Sequence, residues 1–132
     1  MPAEGFVDTN ILVYFSMDGD KAAVAERLVE GGGTISVQVL NELALVWKRK
    51  YEYSWQLIHE SLLSLRTLLQ VVPLTVGMHE QGLSLAERYQ LRIYDSLLLA
   101  AALQAGCTVF WSEDLHEGLI IERQLTIGNP FR

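Results

Sequence analysis

The chain has 132 residues, which suits one domain built around a hydrophobic core, and we predict a single domain over residues 1–132. Half of the residues are apolar and a fifth are charged, a composition that excludes a disordered chain. No apolar run is long enough to cross a membrane, and the early run "ILVYF" is too short for a signal peptide, so we expect a cytoplasmic protein.

The net charge of −6 comes from 10 basic and 16 acidic residues. Taken alone, it argues against binding nucleic acid through overall positive charge. That conclusion fails if several acids form one pocket filled by a divalent cation, since removing four acids leaves a net charge of only about −2. The single cysteine, Cys107, excludes an internal disulfide, and its apolar surroundings in "CTVFW" predict a buried, inert thiol.

The first half of the chain alternates short apolar runs with helical ones. "GFVD" predicts a first strand and "TISV" a β-branched second strand. Helices are predicted for "NILVYF", "DKAAVAERLVEG" and "QVLNELALVWKRKY". Asp20 is the predicted N-cap of the second of these helices, and Gly31 to Gly33 are expected to end it.

The second half continues the alternation. Helices are predicted for "SWQLIHESLLSLRTLL", capped by Ser54, and for "VGMHEQGLSLAERYQ", where Gly82 weakens the helical pattern. Residues 93–111 supply an all-apolar helix and then the strand "TVFW", while "QVVPL" and "LTIG" are further strands. Strands separated by helices imply right-handed crossovers, so we predict an α/β fold with a mostly parallel sheet of about five short strands and helices on both faces.

Four acidic residues fall where such a sheet places its ligand sites, at or near the carboxyl ends of the strands. Asp8 ends the first strand, and Asp114 follows the fourth. Asp95 opens the helix that leads into the fourth strand, and Glu42 borders the apolar face of the helix after the second strand.

Each acid also has a purely structural explanation. Asp8, Asp95 and Asp114 could be N-caps, and Glu42 could be a surface residue beside Arg49. Their convergence is harder to explain this way, because neighbouring carboxylates repel one another and raise one another's pKa. A divalent cation removes that cost. Oxygen ligands without histidine or cysteine favour Mg²⁺ or Mn²⁺, and the three histidines, which have no metal-ligand spacing, are expected at the surface: His59, His79 and His116.

These acids lie in segments that resemble the PIN-domain family, and within it the VapC-type toxins of bacterial toxin–antitoxin pairs. The matching segments occur in the family's order and cover nearly the whole chain: "FVDTNILVY", "ISVQVLNEL", "YDSLLLAAALQAGC", "WSEDL" and "NPF". The resemblance implies a PIN-like α/β/α sandwich. It assigns the catalytic and metal-binding acids to Asp8, Glu42, Asp95 and Asp114, with supporting polar roles for Asn10 and Ser112. Glu113 does not fit the family's spacing of hydroxyl, any residue, acid.

The same resemblance implies a metal-dependent endoribonuclease. The acids would hold one or two Mg²⁺ (or Mn²⁺) ions, roughly 3.5–4 Å apart if two bind, and a metal-activated water would hydrolyse the RNA phosphodiester. No serine, cysteine or histidine set suggests a side-chain nucleophile. Family members also imply a homodimer and a cognate antitoxin, whose tail often places an arginine among the acids.

RNA contacts on an acidic protein must come from local basic residues. Candidates for phosphate contact are Lys48, Arg49, Lys50 and Arg92, with Arg88 nearby and Tyr51, Tyr53 and Trp55 for base stacking. A solvated helix end is the alternative for the basic triplet, and packing or a dimer interface is the alternative for the aromatic residues.

The sequence lacks the motifs of several other α/β families. A receiver-type signalling module needs paired acids after the first strand, an acid after the third and a lysine after the fifth, and these are missing. A haloacid-dehalogenase-like phosphatase needs a second aspartate where Asn10 stands, and Gly31 to Gly33 do not make a phosphate-binding loop. A PIN fold used only as a binding scaffold, and a PIN nuclease that processes cellular RNA without being a toxin, both stay open.

Overall fold

The computed structural model describes residues 5–132, and all the strands of that part of the chain lie in one six-stranded sheet. Its strands are β1 (Gly5–Val7), β2 (Thr34–Ser36), β3 (Gln70–Val72), β4 (Val109–Trp111), β5 (Ile120–Ile121) and β6 (Leu125–Gly128). The strand order is β3-β2-β1-β4-β6-β5, and every pairing is parallel except that of β5 with β6. The buried centre of the sheet is therefore formed by β1 and its two neighbours.

Six helices connect these strands: α1 (Thr9–Leu12), α2 (Asp20–Glu30), α3 (Val37–Arg49), α4 (Trp55–Leu68), α5 (Val76–Tyr89) and α6 (Ile93–Gln104). The chain runs outward from β1 through β2 to β3, then returns past β1 to β4. Right-handed crossovers in these two directions place α1 to α4 on one face of the sheet and α5 with α6 on the other. Contacts among α1 to α4, and the packing of α5 on α6, agree with this division.

The predicted α/β class with a mostly parallel sheet is confirmed, but the strand count was one too low. The missed strand, β5, has only two residues and pairs antiparallel with β6, so it carries no alternating pattern of its own. The order of the strands also differs from the 2-1-3-4-5 order of receiver modules, which removes that alternative on structural grounds.

Local predictions were met to different degrees. Ser54 caps α4 as expected, because its hydroxyl accepts a hydrogen bond from the backbone N–H of Leu57 at 3.1 Å. The cap at Asp20 was wrong: Gly19 takes the N-cap position, and Asp20 is the first residue of α2. The helix predicted for "NILVYF" is shorter than expected, since α1 ends at Leu12 and the next residues form turns.

The core surrounds the two central strands. Phe6 of β1 and Phe110 of β4 are fully buried, and their rings stack with centroids 5.3 Å apart. The apolar run of α6 is buried from Leu98 to Leu103, as its all-round apolar pattern predicts. Cys107 is buried too, and this burial raises the pKa of its thiol, which keeps the thiol protonated. None of the helices within residues 5–132 is long and apolar enough to cross a membrane.

The contact between α5 and α6 depends on a residue that weakens the helical pattern in the sequence. Gly82 lies inside α5 and is buried against Leu97 of α6. A Cβ at position 82 would lie 2.6 Å from Leu97 Cδ2 and 3.3 Å from Leu97 Cα. The glycine therefore allows the two helices to approach closely, and its lower helix propensity is the cost of that approach.

We expect Gly82→Ala to lower the free energy of unfolding by about 1–3 kcal/mol through overpacking, despite the better helix propensity of alanine. Gly77→Ala in the same helix is the matched control, because the nearest atom to its added Cβ is 3.7 Å away. That control should be neutral or stabilising by up to about 1 kcal/mol. Urea unfolding of both variants measures the difference, and equal effects would contradict the close-packing explanation.

Candidate functional site

The site lies between β1 and β4, at the point in the sheet where the order of the strands reverses. Asp8 directly follows β1, and its backbone N–H donates to the carbonyl of Trp111, the last residue of β4, at 2.9 Å. Ser112 and Asp114 follow β4 at the same edge of the sheet. Open α/β sheets bind ligands in the crevice at such a switch point, because neighbouring connections leave in opposite directions there.

A cavity of about 780 Å³ opens at this edge, and we call it the acid cavity. It is lined by all four acids that the sequence singles out, which come from four different places in the fold: Asp8, Glu42, Asp95 and Asp114. The other polar lining residues are Thr9, Asn10, Gln90 and Arg92, and the apolar ones are Val13, Leu45, Val46, Leu91 and Leu115. The fold thus brings together acids that are up to 106 positions apart in the sequence.

Asp8 is the most deeply placed of the four, with 5% of its surface exposed. The pKa of this carboxyl is raised from 3.8 to about 7, mainly by burial and to a smaller extent by the charges of Asp95 and Glu42. The hydroxyl of Ser112, which donates to Asp8 Oδ2 at 2.9 Å, and the backbone amide of Thr9 oppose this increase. Although Asp8 occupies the N-cap position of α1, its side chain makes no capping hydrogen bond, so the structural explanation from capping is wrong here.

Asn10 connects the two sides of the switch point. Its side-chain amide lies 3.3 Å from Asp8 Oδ2, 3.2 Å from Ser112 Oγ and 3.2 Å from Asp114 Oδ2. Its Oδ1 accepts a hydrogen bond from the backbone N–H of Glu113 at 3.1 Å. Asn10 and Ser112 thus form hydrogen bonds to the acids without adding charge.

Glu42 is held by two residues that the sequence analysis did not single out. Thr9 donates through its hydroxyl to Glu42 Oε1 at 2.6 Å, and Gln38 donates through Nε2 to Glu42 Oε2 at 3.2 Å. The same Gln38 nitrogen lies 3.1 Å from the carbonyl oxygen of Tyr94, the residue before Asp95. The position of Gln38 four residues before Glu42 on one helix was the available signal, because such pairs share a face.

Asp95 does not cap α6. The N-cap position belongs to Arg92, and the Asp95 carboxylate, in the first turn, accepts no hydrogen bond from residues 5–132. Desolvation raises the pKa of this carboxyl, Arg92 opposes the increase, and the charges of Glu42 and Asp114 add to it. A half-buried carboxylate that accepts no hydrogen bond from the described residues and lies near other carboxylates is a group that a cation would stabilise.

The last acidic position distinguishes Asp114 from its neighbour. No helix follows Asp114, so it cannot be a cap, and its carboxylate accepts from Asn10 inside the acid cavity. Glu113 turns away from the cavity, forming an ion pair with Lys21 and accepting from the hydroxyl of Tyr14 at 3.0 Å. This geometry agrees with the spacing argument that favoured Asp114.

The basic candidates are placed very differently from one another. Arg92 lines the acid cavity, and Arg49 is exposed at the last turn of α3. Lys48 donates to the carbonyl of Tyr53 at 3.3 Å and lies over the Trp55 ring, and Lys50 lies over the Tyr51 ring. Arg88 is away from the cavity, bound through both carboxylate oxygens of Glu122.

The aromatic candidates mainly contact one another and the core. Tyr53 stacks on the buried Trp47 ring, with centroids 5.9 Å apart, and Tyr51 lies tilted against Tyr53. The packing alternative therefore describes Tyr53 best. His59, His79 and His116 are all exposed, as expected.

The donor set fits hydrated Mg²⁺ or Mn²⁺ better than Zn²⁺. Its ligand atoms are carboxylate oxygens, with hydroxyl and amide groups behind them. Within residues 5–132, no three acidic, histidine or cysteine side chains converge tightly enough to enclose one ion directly. Zn²⁺ needs at least three close protein ligands, whereas Mg²⁺ usually keeps several waters and takes only one or two carboxylates.

The raised pKa of Asp8 predicts how the metal-free protein responds to pH. The folded chain holds the Asp8 proton up to about pH 7, while the unfolded chain releases it near pH 3.8. The free energy of unfolding should therefore fall as pH rises from about 4 to 7, by roughly 4 kcal/mol for this group.

Asp8→Asn removes this titration, so in EDTA the variant should be more stable than the unchanged chain at pH 8, with the difference shrinking towards zero near pH 4. Urea unfolding across this range measures it. Asp18→Asn, a change of one exposed acid, is the control for net charge. A constant difference between Asp8→Asn and the unchanged chain would show that burial does not shift this carboxyl.

Comparison with known proteins agrees with the observed fold. The PIN domain model matches residues 5–116. No curated protein sequence matches the chain. Among solved structures, a toxin–antitoxin complex from Klebsiella pneumoniae has a TM-score of 0.70 at 20% identity, covering 96% of this chain and 97% of that one.

Two further structures are similar in fold. VapC20 of Mycobacterium tuberculosis, a toxin that cleaves the sarcin–ricin loop, has a TM-score of 0.65 at 20% identity over 83% of this chain and 89% of that one. VapBC2 of Rickettsia felis, bound to a DNA fragment from its promoter, has a TM-score of 0.61 at 18% identity over 95% and 97%. Because the family model spans most of the chain, including β1 to β4 and all four acids of the cavity, the chain belongs to the PIN domain family.

Proposed function

We propose that the protein is a Mg²⁺- or Mn²⁺-dependent endoribonuclease and the toxin of a VapBC-type toxin–antitoxin pair. The observation that carries this proposal is the convergence of Asp8, Glu42, Asp95 and Asp114 in one cavity at the switch point of a PIN fold. The similar structures support the toxin role, because two of them are described as toxin–antitoxin or VapBC assemblies and the third as an RNA-cleaving toxin. A toxin that acts on cellular RNA would work in the cytoplasm.

The acids would hold the metal, and the rest of the site would orient the substrate. Bound Mg²⁺ would activate a water molecule and stabilise the charge that develops on the phosphate oxygens. Asn10 and Ser112 hold Asp8 and Asp114 near each other through hydrogen bonds, while Thr9 binds one oxygen of Glu42.

Other lining residues set the environment of the scissile phosphate. Leu45, Val46 and Leu91 supply apolar lining beside the acids, and such low-polarity surface strengthens electrostatic interactions in the cavity. Arg92, on the rim of the cavity, offers a guanidinium to the RNA backbone.

An antitoxin and a second copy of the chain are the proposed protein partners. The open, anionic acid cavity suits a cationic side chain from an antitoxin tail. For self-association, an apolar groove of about 620 Å³ adjoins the cavity, and residues at this surface are unusually exposed for their type: Leu45 and Leu74 at 50% and Tyr94 at 65%. Such contiguous apolar surface is typical of an interface, and we propose that it forms the homodimer.

Cleavage by this site should require both the metal and Asp95. We expect the protein to cut total cellular RNA when Mg²⁺ or Mn²⁺ is added, and to be inactive in EDTA. Asp95→Asn should lower the cleavage rate by about 100-fold or more, because it removes a carboxylate proposed to hold the metal. The metal-free fold should stay intact or become slightly more stable, because one charge is removed from a set of carboxylates that repel one another.

Glu113→Gln is the matched control, since Glu113 is the neighbouring acid that faces Lys21 instead of the cavity. It should retain cleavage. Mapping of RNA ends measures the activity, and thermal melting with millimolar Mg²⁺ measures metal binding to the folded state. Normal cleavage by Asp95→Asn, or no effect of Mg²⁺ on either readout, would refute the proposal.

The dimer proposal predicts that Leu74→Asp shifts the protein from dimer to monomer, because it places a charge in the apolar groove. Sedimentation velocity at micromolar concentration measures the change. Leu63→Asp, at an exposed leucine of α4 outside this groove, is the control and should remain dimeric. A monomeric unchanged chain would contradict the homodimer.

A further inference from the structure

One side of the acid cavity is a stripe along α3. Gln38, Glu42, Leu45 and Arg49 recur at helical spacing, and we call them the α3 stripe. Glu42 and Leu45 line the cavity. At about 100° per residue, Arg49 points in a direction between those of Glu42 and Leu45. It therefore lies on the helix face that lines the cavity, about 10 Å further along the helix axis from Glu42.

The other two basic residues of the triplet point to either side of this stripe and are already engaged. Lys48 donates to the Tyr53 carbonyl at 3.3 Å and lies 4.8 Å from the centre of the Trp55 ring. Lys50 lies 5.5 Å from the centre of the Tyr51 ring. Arg49 is exposed and has no hydrogen-bond or ion-pair partner among residues 5–132. Of the triplet, only Arg49 is both free and on the face that leads to the acids.

A second arginine stands at the start of α6. Arg92 lines the acid cavity at the N-cap of this helix, close enough to Asp95 for their charges to interact. An RNA backbone entering a cavity of carboxylates is repelled unless cations bind the phosphates beside the one being cut. A guanidinium suits this task, because it binds two phosphate oxygens at once and stays charged at every relevant pH.

We propose that the RNA backbone crosses the acid cavity between two phosphate-binding arginines, Arg49 on the α3 side and Arg92 on the α6 side, while Lys48 and Lys50 take no part. This assignment rests on the proposed ribonuclease function, because the phosphate between the two arginines is the one placed over the acids. Overall negative charge is then compatible with RNA binding, since only the phosphates flanking the cut require a cation.

The test is RNA binding by the full chain carrying Asp95→Asn, in Mg²⁺ buffer, so that no cleavage interferes. The probe is a short, fluorescently labelled, single-stranded RNA of mixed sequence, and the readout is anisotropy over a range of salt concentrations. Arg49→Gln and Arg92→Gln should each weaken binding about tenfold and reduce the slope of log affinity against log salt by about 0.7, as expected for the loss of one phosphate contact on single-stranded nucleic acid. Unchanged circular dichroism confirms that the exposed substitutions leave the fold intact.

Lys50→Gln is the matched control, because it removes the same charge one residue away from Arg49. It should change binding less than twofold and leave the salt slope unaltered. Equal losses of affinity in Arg49→Gln and Lys50→Gln would mean that only general charge matters, and this would overturn the proposal. The proposal would also be overturned if Arg49→Gln bound RNA normally, or if the parent chain did not bind the RNA.

Cleavage of RNA by the chain without substitutions, measured in parallel, separates this proposal from the broader one. If the unsubstituted chain cleaves RNA with Mg²⁺ but Arg49→Gln binds RNA normally, the proposed nuclease activity is supported and the assignment of the two phosphate-binding arginines is refuted. If both arginine variants lose RNA binding but the unsubstituted chain does not cleave RNA, the two phosphate-binding arginines are supported and the proposed nuclease activity is refuted.

Discussion

The parallel pairing of β1 with β4 is the contact on which the site depends. These strands are about a hundred residues apart in the chain, yet Val7 lies opposite Trp111 in the sheet, so the residues that follow each strand emerge side by side. Asp8 then meets Ser112, and Asn10 meets Asp114. A shift of this register by one residue would turn each side chain to the opposite face and separate them. The buried, stacked rings of Phe6 and Phe110 lie at the matching position of the pair and fix that register through packing.

This arrangement is electrostatically unfavourable for folding. Folding brings carboxylates from β1, α3, α6 and the end of β4 to one cavity, and partly removes them from water. Hydrogen bonds offset the cost at Asp8 and Glu42, whereas Asp95 has no such help within the described part of the chain. The apolar run behind Asp95 holds it in place instead, because α6 is buried on nearly every side. Packing energy elsewhere in the molecule thus maintains a site that is unfavourable by itself.

The sequence predicted the parts of this structure that local pattern determines. Buried strands, amphipathic helices and the Ser54 cap each follow from residues within one segment. Long apolar runs also predicted where the acids would stand relative to the sheet edge. Other features depend on distant residues and left weaker signals. The strand β5 exists only through its pairing with β6, and the close approach at Gly82 requires Leu97 from another helix. The sequence also does not show which of the three consecutive basic residues is free. Lys48 and Lys50 contact aromatic rings, and the fold determines where those rings lie.

The side-chain amide of Asn10 has two N–H donors, yet three acceptors lie within 3.3 Å of its nitrogen: Asp8 Oδ2, Ser112 Oγ and Asp114 Oδ2. It cannot satisfy all three fully at the same moment. At any moment one of the three acceptors receives only a shared or weakened hydrogen bond from Asn10. Either carboxylate can therefore move a short way while the amide keeps two hydrogen bonds. The network therefore has mechanical compliance at the place where an arriving ion would pull the acids together, and rigidity in the helices and strands around it.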